Sequence, residues 1–425
     1  MLETLRNAWA VKDIRRKILF TVFILIVFRI GSVIPVPFID VETLKTVMAN
    51  NSGLTSISVL TGGALDYGAI FALSVTPYIN SSIIIQLLTV AIPALERLSK
   101  EGEEGKKKLA QITRYTTVIL ALVQATAFFI YLNSGSVNCI NADGGLVWLA
   151  AVVVVLCLTA GSALVMWLGE QIDTKGIGNG ISMILFAGII ARGPDAAIVM
   201  ITNLQDASKI VPVIAIVLLF LALVMFVVWM TAAERRIPVQ YAKRVVGNKM
   251  YGGQNTHIPI KVNMSGVMPV IFSSSILMLP SMIMGFTRNT DTSWYKFLNL
   301  FSTQGVFYAV LYFLLIIGFA YFYATIQFNP VEMTNNLRKN GGSIPGIRPG
   351  KPTSDFISKI LSRITLMGAF FLSVVAILPI VVGRIGGMNI SLGGTSMLIL
   401  VGVALDTVQN LESQMMMRHY KGFLD

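Results

Sequence analysis

The chain has 425 residues, of which 55% are hydrophobic and 13% charged, and its formal net charge is +12. Its mean hydropathy of +0.73 excludes an ordinary soluble globular protein, in which charged residues make up ~25%. The composition therefore indicates a polytopic membrane protein, and the basic charge has to be interpreted against a membrane before nucleic acid is considered.

Apolar windows along the chain predict ten membrane spans. The opening residues, MLETLRNAWAVKDIRRK, precede an apolar run without a small-residue cleavage site, so we expect a retained first span rather than a signal peptide. The predicted spans cover residues 18–34, 69–92, 116–132, 146–168, 181–193, 211–232, 264–286, 306–326, 364–383 and 394–411.

The lysines and arginines set the predicted orientation. Most of the 33 lie in the N-terminal segment, in alternate loops and at the C-terminus, which predicts that both termini are cytoplasmic. Five spans in each half is an odd number, so a duplicated half would enter the membrane in the opposite direction. We therefore predict two inverted halves, 1–200 and 201–425, joined by an outer hinge near Gly193 to Lys209.

Two stretches, one in each half, share an internal order. Ala69 to Leu88 is twenty residues without an ionisable side chain, the length that crosses a bilayer core of ~30 Å. Its run from Pro77 to Ile84 aligns with the run from Pro269 to Ile276 in the stretch Val262 to Pro280. Corresponding proline-interrupted spans favour an inverted repeat with the working site between the copies. Proline and serine are also common in membrane helices generally, so coincidence stays open.

The run from Gly53 to Gly68, GLTSISVLTGGALDYG, is too short at helical rise to cross the membrane. Its glycines permit sharp turns, and we interpret it as a re-entrant segment enclosed by protein or by a water-filled cavity. An amphipathic helix on the outer surface is the alternative.

Two long cytoplasmic loops, about 233–261 and 327–359, are basic, and the second contains the run GGSIPGIRPGKP. Glycine and proline at these spacings favour ordered turns, so we expect a large partner to dock there.

Six blocks follow one another along the chain, namely TPYINSSIIIQLL (Thr76 to Leu88), WLGEQIDTKGIGNGIS (Trp167 to Ser182), ERRIPVQYAKR (Glu234 to Arg244), THIPIKVNMSGVMPVIF (Thr256 to Phe272), GGSIPGIRPGKPT (Gly341 to Thr353) and GGTSMLI (Gly393 to Ile399). These blocks, in this order, resemble the SecY family (SecY/Sec61-alpha), whose bacterial members form the pore of the Sec protein translocase. Ser74, Asp173 and Asn248 depart from the residues usual in that family.

The resemblance implies an all-α polytopic clamshell around an hourglass pore that conducts unfolded polypeptides and releases membrane helices sideways into lipid. A ring of aliphatic side chains would form the constriction, and a plug at about 54–66 would rest beneath it. The implied pore ring is Ile79, Ile83, Leu185, Ile189, Ile271 and Ile399. The implied plug residues are Leu54, Thr55, Ile57, Val59, Leu60, Gly62, Gly63 and Leu65.

The resemblance also implies a lateral gate between the second and seventh spans. Hydroxyls bonded back to their own helix are the open alternative for its serines. The candidates for its polar seam are Ser81, Ser82, Gln86, Asn263, Ser273 and Ser274. The implied partners are the SecE and SecG subunits, the SecA ATPase, the ribosome, signal sequences, nascent chains and membrane lipid. Docking at the cytoplasmic face is assigned to Arg235, Arg236, Lys243, Arg244, Lys249 and Arg348.

Catalytic and cofactor chemistry is not predicted. The run PGIRPGKP has Pro345 and Pro352 where a phosphate-binding loop needs glycine and Ser or Thr, so we expect no ATP hydrolysis. His257 and His419 are far in sequence from both cysteines, which gives no basis for a metal site.

The rival function is an ion-coupled secondary transporter, which also uses inverted repeats. Such a transporter needs ionisable groups inside its spans, and here the clear cases are Arg29, expected to extend towards the outer surface, and Asp406, whose role is not assigned. An intramembrane enzyme lacks a paired-carboxylate or Ser-His arrangement within the spans.

Overall fold

The computed structural model describes residues 9–50, 58, 61–133, 139–141, 144–205, 210–241, 244–246, 249–251, 255–286, 297–298, 301, 305–386 and 394–421. The helices before residue 206 are α1 (Lys12–Gly31), α2 (Val41–Asn50), α3 (Thr76–Ala91), α4 (Pro93–Lys100), α5 (Glu103–Leu132), α6 (Val147–Lys175), α7 (Gly180–Ala191) and α8 (Gly193–Leu204). The later helices are α9 (Ile210–Ala232), α10 (Met268–Phe286), α11 (Val306–Gln327), α12 (Pro330–Lys339), α13 (Lys351–Gly386) and α14 (Gly394–Lys421).

Each of the ten predicted spans overlaps one of these helices, which confirms a predominantly helical membrane fold. Six helical runs in the described part of the chain are long and apolar enough to cross a bilayer by themselves. The number rises to seven if α3 and α4, bent by 101° at their junction, form one span. The count of ten therefore stays a prediction. The bend follows from Pro93, because the residue before a proline is pushed out of helical geometry and Ile92 is extended at φ −108° and ψ 114°.

The second predicted span begins later than the sequence analysis expected. Residues 69–75 form consecutive turns, and α3 begins at Thr76. Ser74 has φ +48°, which no helix accommodates, and Pro77 in the first turn of α3 lacks the backbone N–H that an earlier start would use. We call residues 61–75 the turn segment. Its backbone is paired with the chain after α1, since Ile70 N donates to Ile34 O at 3.0 Å.

Short strands interrupt the helical pattern on the side of the long basic loops, and the sequence analysis had expected only ordered turns there. The antiparallel sheet has the order β4-β1-β5, and β2 and β3 form a separate hairpin. In β1 buried and exposed residues alternate from Arg236 to Gln240, so Ile237 and Val239 pack against Ile357 and Leu361 of α13. The strands are β1 (Glu234–Tyr241), β2 (Arg244–Val246), β3 (Lys249–Tyr251), β4 (Asn255–Lys261) and β5 (Gly342–Ser343).

Large apolar side chains cover much of the outer surface of the helices. Helix α9 carries no charged residue, and its Leu221, Met225 and Trp229 are all exposed. A helix that is apolar on every side is stable when it is buried in protein or surrounded by lipid. The exposed side of α9 therefore faces the membrane.

The main apolar core lies at the centre of the molecule and draws on helices from both halves of the chain. Phe28 of α1, Leu168 of α6, Tyr312 of α11 and Leu372 of α13 all belong to it. This core surrounds the candidate site.

Candidate functional site

The six aliphatic side chains assigned to the pore ring are all buried and all belong to the same central core. None is more than 8% exposed, so none lies on the outer apolar surface. They belong to α3 (Ile79 and Ile83), α7 (Leu185 and Ile189), α10 (Ile271) and α14 (Ile399). The structure therefore brings together residues from two helices in each half of the chain.

The two matching stretches of sequence begin their helices in the same way. Pro77 is the second residue of α3 and Pro269 is the second residue of α10, and both are buried. Ile79 and Ile271 follow two residues later. Proline suits the first helical turn because its missing N–H would have no partner there. The aligned prolines thus place the aligned isoleucines at the same depth of their helices.

The direction in which α7 presents Leu185 and Ile189 is fixed at the start of that helix. Asn179 is its N-cap, with the side-chain Oδ1 accepting from Ser182 N at 3.0 Å. Asp173 accepts from Gly180 N at 2.7 Å, which pairs another backbone donor of the first turn. A Cβ at Gly180 would lie 2.0 Å from the carbonyl oxygen of Gly169 in α6, so only glycine fits there. The N-cap signal was present in the sequence, but the sequence analysis did not use it.

Helix α14, which carries Ile399, is anchored near its first turn. The Tyr312 hydroxyl of α11 lies 2.8 Å from Thr395 Oγ1, and Tyr312 is almost fully buried. Thr395 lies one helical turn before Ile399, so this contact positions the ring residue. This contact could not be predicted from the sequence, because it joins residues 83 positions apart.

The described part of the predicted plug is buried and lies against α7. Gly62, Gly63 and Leu65 are buried, and a Cβ at Gly62 would lie 2.8 Å from Gly188 Cα. Gly62 and Gly63 have φ of +67° and +87°, a region that glycine enters freely. The remaining predicted plug residues lie outside the described residues, namely Leu54, Thr55, Ile57, Val59 and Leu60.

Two arginines contact this region, and the sequence analysis assigned neither of them to it. Arg29 Nη1 donates to the carbonyl oxygen of Gly62 at 2.6 Å, whereas we had expected its side chain to extend to the outer surface. Arg192, directly after α7, donates through Nη2 to Asp66 Oδ2 and to Ser58 Oγ. Three charged side chains, Arg29, Asp66 and Arg192, thus lie at the turn segment.

The candidate gate helices α3 and α10 pack against each other, but their serines bond elsewhere. Ser81 Oγ donates to Thr113 O of α5 at 2.9 Å. Ser273 and Ser274 donate to carbonyl oxygens of their own helix, which is the alternative that the sequence left open. Ser82 Oγ accepts from Gln86 Nε2 at 3.2 Å within α3. No hydrogen bond between these six side chains crosses the α3–α10 boundary.

Two acceptors at the gate helices stay unsatisfied among the described residues. Gln86 Oε1 on α3 and Asn263 Oδ1, five residues before α10, are buried and have no hydrogen-bond partner there. A buried acceptor without a partner costs free energy.

The basic residues assigned to docking lie on or beside the sheet where their side chains are described. Arg235, Arg236 and Arg348 are exposed, and Arg236 Nε lies 2.7 Å from Glu234 Oε1. Arg244 and Lys249 begin the hairpin strands β2 and β3, while Lys243 lies outside the described residues. An exposed basic surface of this kind suits an acidic partner.

The six ring residues together present an apolar surface. The six ring residues offer no nucleophile and no titratable group. Within the described ranges no three His, Cys, Asp or Glu side chains are grouped as metal ligands would be. A central apolar contact between the halves is able to block ions and to part without breaking strong bonds.

Comparisons with known proteins identify the family and the fold of the chain. The SecY family model matches residues 69–408. The chain is 43% identical to the protein translocase subunit SecY of Streptomyces coelicolor, with all of both chains covered. A solved structure concerned with how the plug domain of the SecY protein stabilises the closed translocation channel has a TM-score of 0.67 at 18% identity, covering 94% of this chain and 92% of that one. Sec61 in a canine ribosome–channel complex has a TM-score of 0.62 at 16% identity, with the same coverage.

Proposed function

This chain belongs to the SecY family, and from that premise we propose how it works as the protein-conducting subunit of a translocation channel. Unfolded secretory polypeptides pass through it across the membrane, and apolar segments leave it sideways into lipid. In this proposal Ile79, Ile83, Leu185, Ile189, Ile271 and Ile399 form the constriction of the pore. The observation that carries the proposal is the shared burial of these six side chains in one core built from both halves.

An aliphatic constriction meets both demands on such a channel. It excludes water and ions when closed, because a narrow apolar passage dewets. It also adapts to any polypeptide sequence, because dispersion contacts have no fixed direction. A ring of polar residues would bind some segments too tightly and conduct ions at rest.

We assign the plug to the re-entrant segment at about 54–66, and the lateral gate to the boundary between α3 and α10. The hydrogen bonds of Ser81, Ser273 and Ser274 support the gate, because none of them joins α3 to α10 and parting the two helices breaks none of them. An arriving apolar helix would replace the contacts between α3 and α10 at little cost. The halves that part would be 1–200 and 201–425, turning about the connection after Arg192.

The chain is a membrane protein, and we propose that it lies in the bacterial cytoplasmic membrane with both termini in the cytoplasm. The distribution of Lys and Arg supports this orientation. The exposed Arg235, Arg236 and Arg348, with Lys243, Arg244 and Lys249, would then face the cytoplasm. We propose that the SecA motor and the ribosome dock there, and that SecE and SecG complete the channel.

Reconstitution tests this function. The chain with its SecE and SecG partners is placed in liposomes, and a secretory preprotein, SecA and ATP are added. We expect protease-protected preprotein that depends on both SecA and ATP. Saturable uptake of a small solute driven by an ion gradient, without preprotein transport, would favour the ion-coupled transporter instead.

A further inference from the structure

The turn segment contains a single charged side chain, Asp66, yet two arginines from outside it reach this region. Arg29 comes from the last turn of α1 and Arg192 comes from the residue after α7. Both contacts fall on the part of the chain proposed as the plug, and the SecY resemblance assigns neither arginine.

The Arg192 side chain is held by two acceptors, Asp66 in the turn segment and Ser58 just before it. Its Nη2 contacts Asp66 Oδ2 and Ser58 Oγ. The Arg192 and Asp66 side chains are only 22% and 20% exposed, so water screens their attraction incompletely. Ser58 is fully buried. One guanidinium therefore joins both sides of the Gly62–Gly63 turn.

The two glycines leave room for this arrangement. A Cβ added to Gly63 would lie 3.3 Å from Arg192 Nε and 3.6 Å from Arg192 Cζ, so the guanidinium packs directly on the glycine backbone. A Cβ on Gly62 would meet Gly188 of α7 at 2.8 Å. The close fit brings the segment within reach of Arg192.

Arg29 supplies an independent hold on the same turn. It donates to the carbonyl oxygen of Gly62, not to a side chain, and this bond of 2.6 Å is a charge-assisted one. Because its acceptor is backbone, this contact does not depend on Asp66.

We propose that Arg192, with Asp66 and Ser58, forms a latch that keeps the plug closed and ties it to the first half of the channel. This inference rests on the proposed function of the segment as a plug. Arg192 is followed at once by α8, the connection at which the halves are proposed to turn. Movement at that connection displaces the guanidinium, so opening of the halves and release of the plug are coupled through one ion pair.

The free energy needed to break the latch determines how often the plug opens at rest, and therefore how many ions leak through the resting channel. Breaking a partly buried ion pair leaves a charge without its partner, which opposes opening until the halves move. The latch is thus a positioning device, and no residue in it needs to contact the translocating polypeptide.

Single-channel conductance of the complex in planar bilayers, in potassium chloride without preprotein, tests the latch. Asp66→Asn and Arg192→Gln should each raise the resting open probability about tenfold, which corresponds to about 1.4 kcal/mol. Ser58→Ala, which removes one of the two acceptors, should raise it about threefold. Asp195→Asn is the matched control, because this exposed carboxylate lies three residues after Arg192 and its loss should change nothing.

Double variants show whether a raised leak comes from loss of the latch or from a general loss of stability. Asp66→Asn combined with Arg192→Gln should leak no more than Arg192→Gln alone, because Arg192→Gln already removes the bond to Asp66. In the double variant of Asp66→Asn and Arg29→Gln, the resting open probability should rise by the product of the two single increases, because the two contacts are independent. Arg192→Lys should leak at an intermediate level, since one ammonium holds two acceptors less well than a guanidinium.

The latch is overturned if Asp66→Asn and Arg192→Gln stay within twofold of the unchanged channel, or if their effects multiply in the double variant. Should those variants fail to assemble, Ser58→Ala and Arg192→Lys decide the matter by the same criterion. SecA-driven preprotein transport by the unchanged complex is measured in parallel. Its absence would contradict the proposed function, whereas normal transport with an unchanged resting leak would contradict only the latch.

Discussion

At the scale of single residues, the i and i+4 spacing of Ile79 with Ile83 and of Leu185 with Ile189 predicted that each pair shares a helix face. Both pairs lie in the central core, together with Ile271 and Ile399. The contacts of Arg192 were not predictable, because Asp66 lies 126 positions away. A hydrophobic pattern identifies which face of a helix is buried, whereas an ion pair between distant segments depends on the completed fold.

The ring assignment predicts that shortening its side chains increases ion leak. Ile83→Gly and Ile271→Gly should each raise the conductance of the resting channel in planar bilayers, because the apolar contact that excludes water is lost. Ile84→Gly is the control, since Ile84 is 40% exposed and glycine costs a helix roughly 1 kcal/mol at either position. Equal conductance in all three variants would count against the ring.

The docking assignment predicts a defect in SecA-driven transport without a defect in folding. Arg348 is exposed, so Arg348→Glu should leave the recovery of the complex unchanged. Preprotein-stimulated ATPase activity should fall several-fold, because a reversed charge repels an acidic partner. Lys107→Glu serves as the control, because Lys107 is an exposed basic residue of α5 and lies outside both long loops. Normal ATPase activity in Arg348→Glu would remove the residue from the docking surface.

At the scale of elements, two of the four helices that carry the proposed constriction are short. Helix α3 has 16 residues and α7 has 12, fewer than the ~20 that cross a bilayer core. Turns precede α3 and helix α8 continues α7, and the non-helical backbone of the turns is tolerated at membrane depth only inside protein. Hydropathy located these spans but placed the start of α3 too early, because the turn segment is as apolar as a helix. The strands β1 to β5 were not predicted either. Their alternation of apolar and polar residues is short, and it is interrupted by Pro238, Pro259 and charged residues.

Helix capping offers a prediction for α7. Asn179→Ala should lower the stability of the complex by about 1 kcal/mol, the usual cost of losing an N-cap, and should also raise resting ion conductance because Leu185 and Ile189 lose their fixed direction. Asn329→Ala is the matched control. Asn329 caps α12 through the same kind of bond, with Oδ1 accepting from Val331 N at 3.1 Å.

The two cap variants distinguish a loss of stability from a loss of the channel's seal against ions. Both should lower the melting temperature in detergent to a similar extent, but only Asn179→Ala should leak. A leak of the same size from both would show that lost stability, rather than the position of α7, opens the channel.

At the scale of the whole molecule, composition and the spacing of apolar runs were sufficient to predict a polytopic helical membrane protein. The matching order around Pro77 and Pro269 predicted that one helix of each half contributes to the site, and both helices do reach the central core. The number of spans was harder to predict, because the helices around the core are bent or shortened.

The central claim is that a polypeptide in transit passes through the ring of aliphatic residues. Site-specific disulfide cross-linking tests it most directly. Cys139 and Cys157 are first replaced by alanine, and single cysteines are introduced at Ile83 or Ile271 and, as controls, at Ile119 or Leu314, which lie on the exposed surface of α5 and α11.

A preprotein carrying one cysteine is then stalled during SecA-driven transport and oxidised. The account predicts a cross-link from Ile83→Cys and from Ile271→Cys, and none from Ile119→Cys or Leu314→Cys. Cross-links from the control positions, with none from the ring positions of a complex that transports normally, would contradict it.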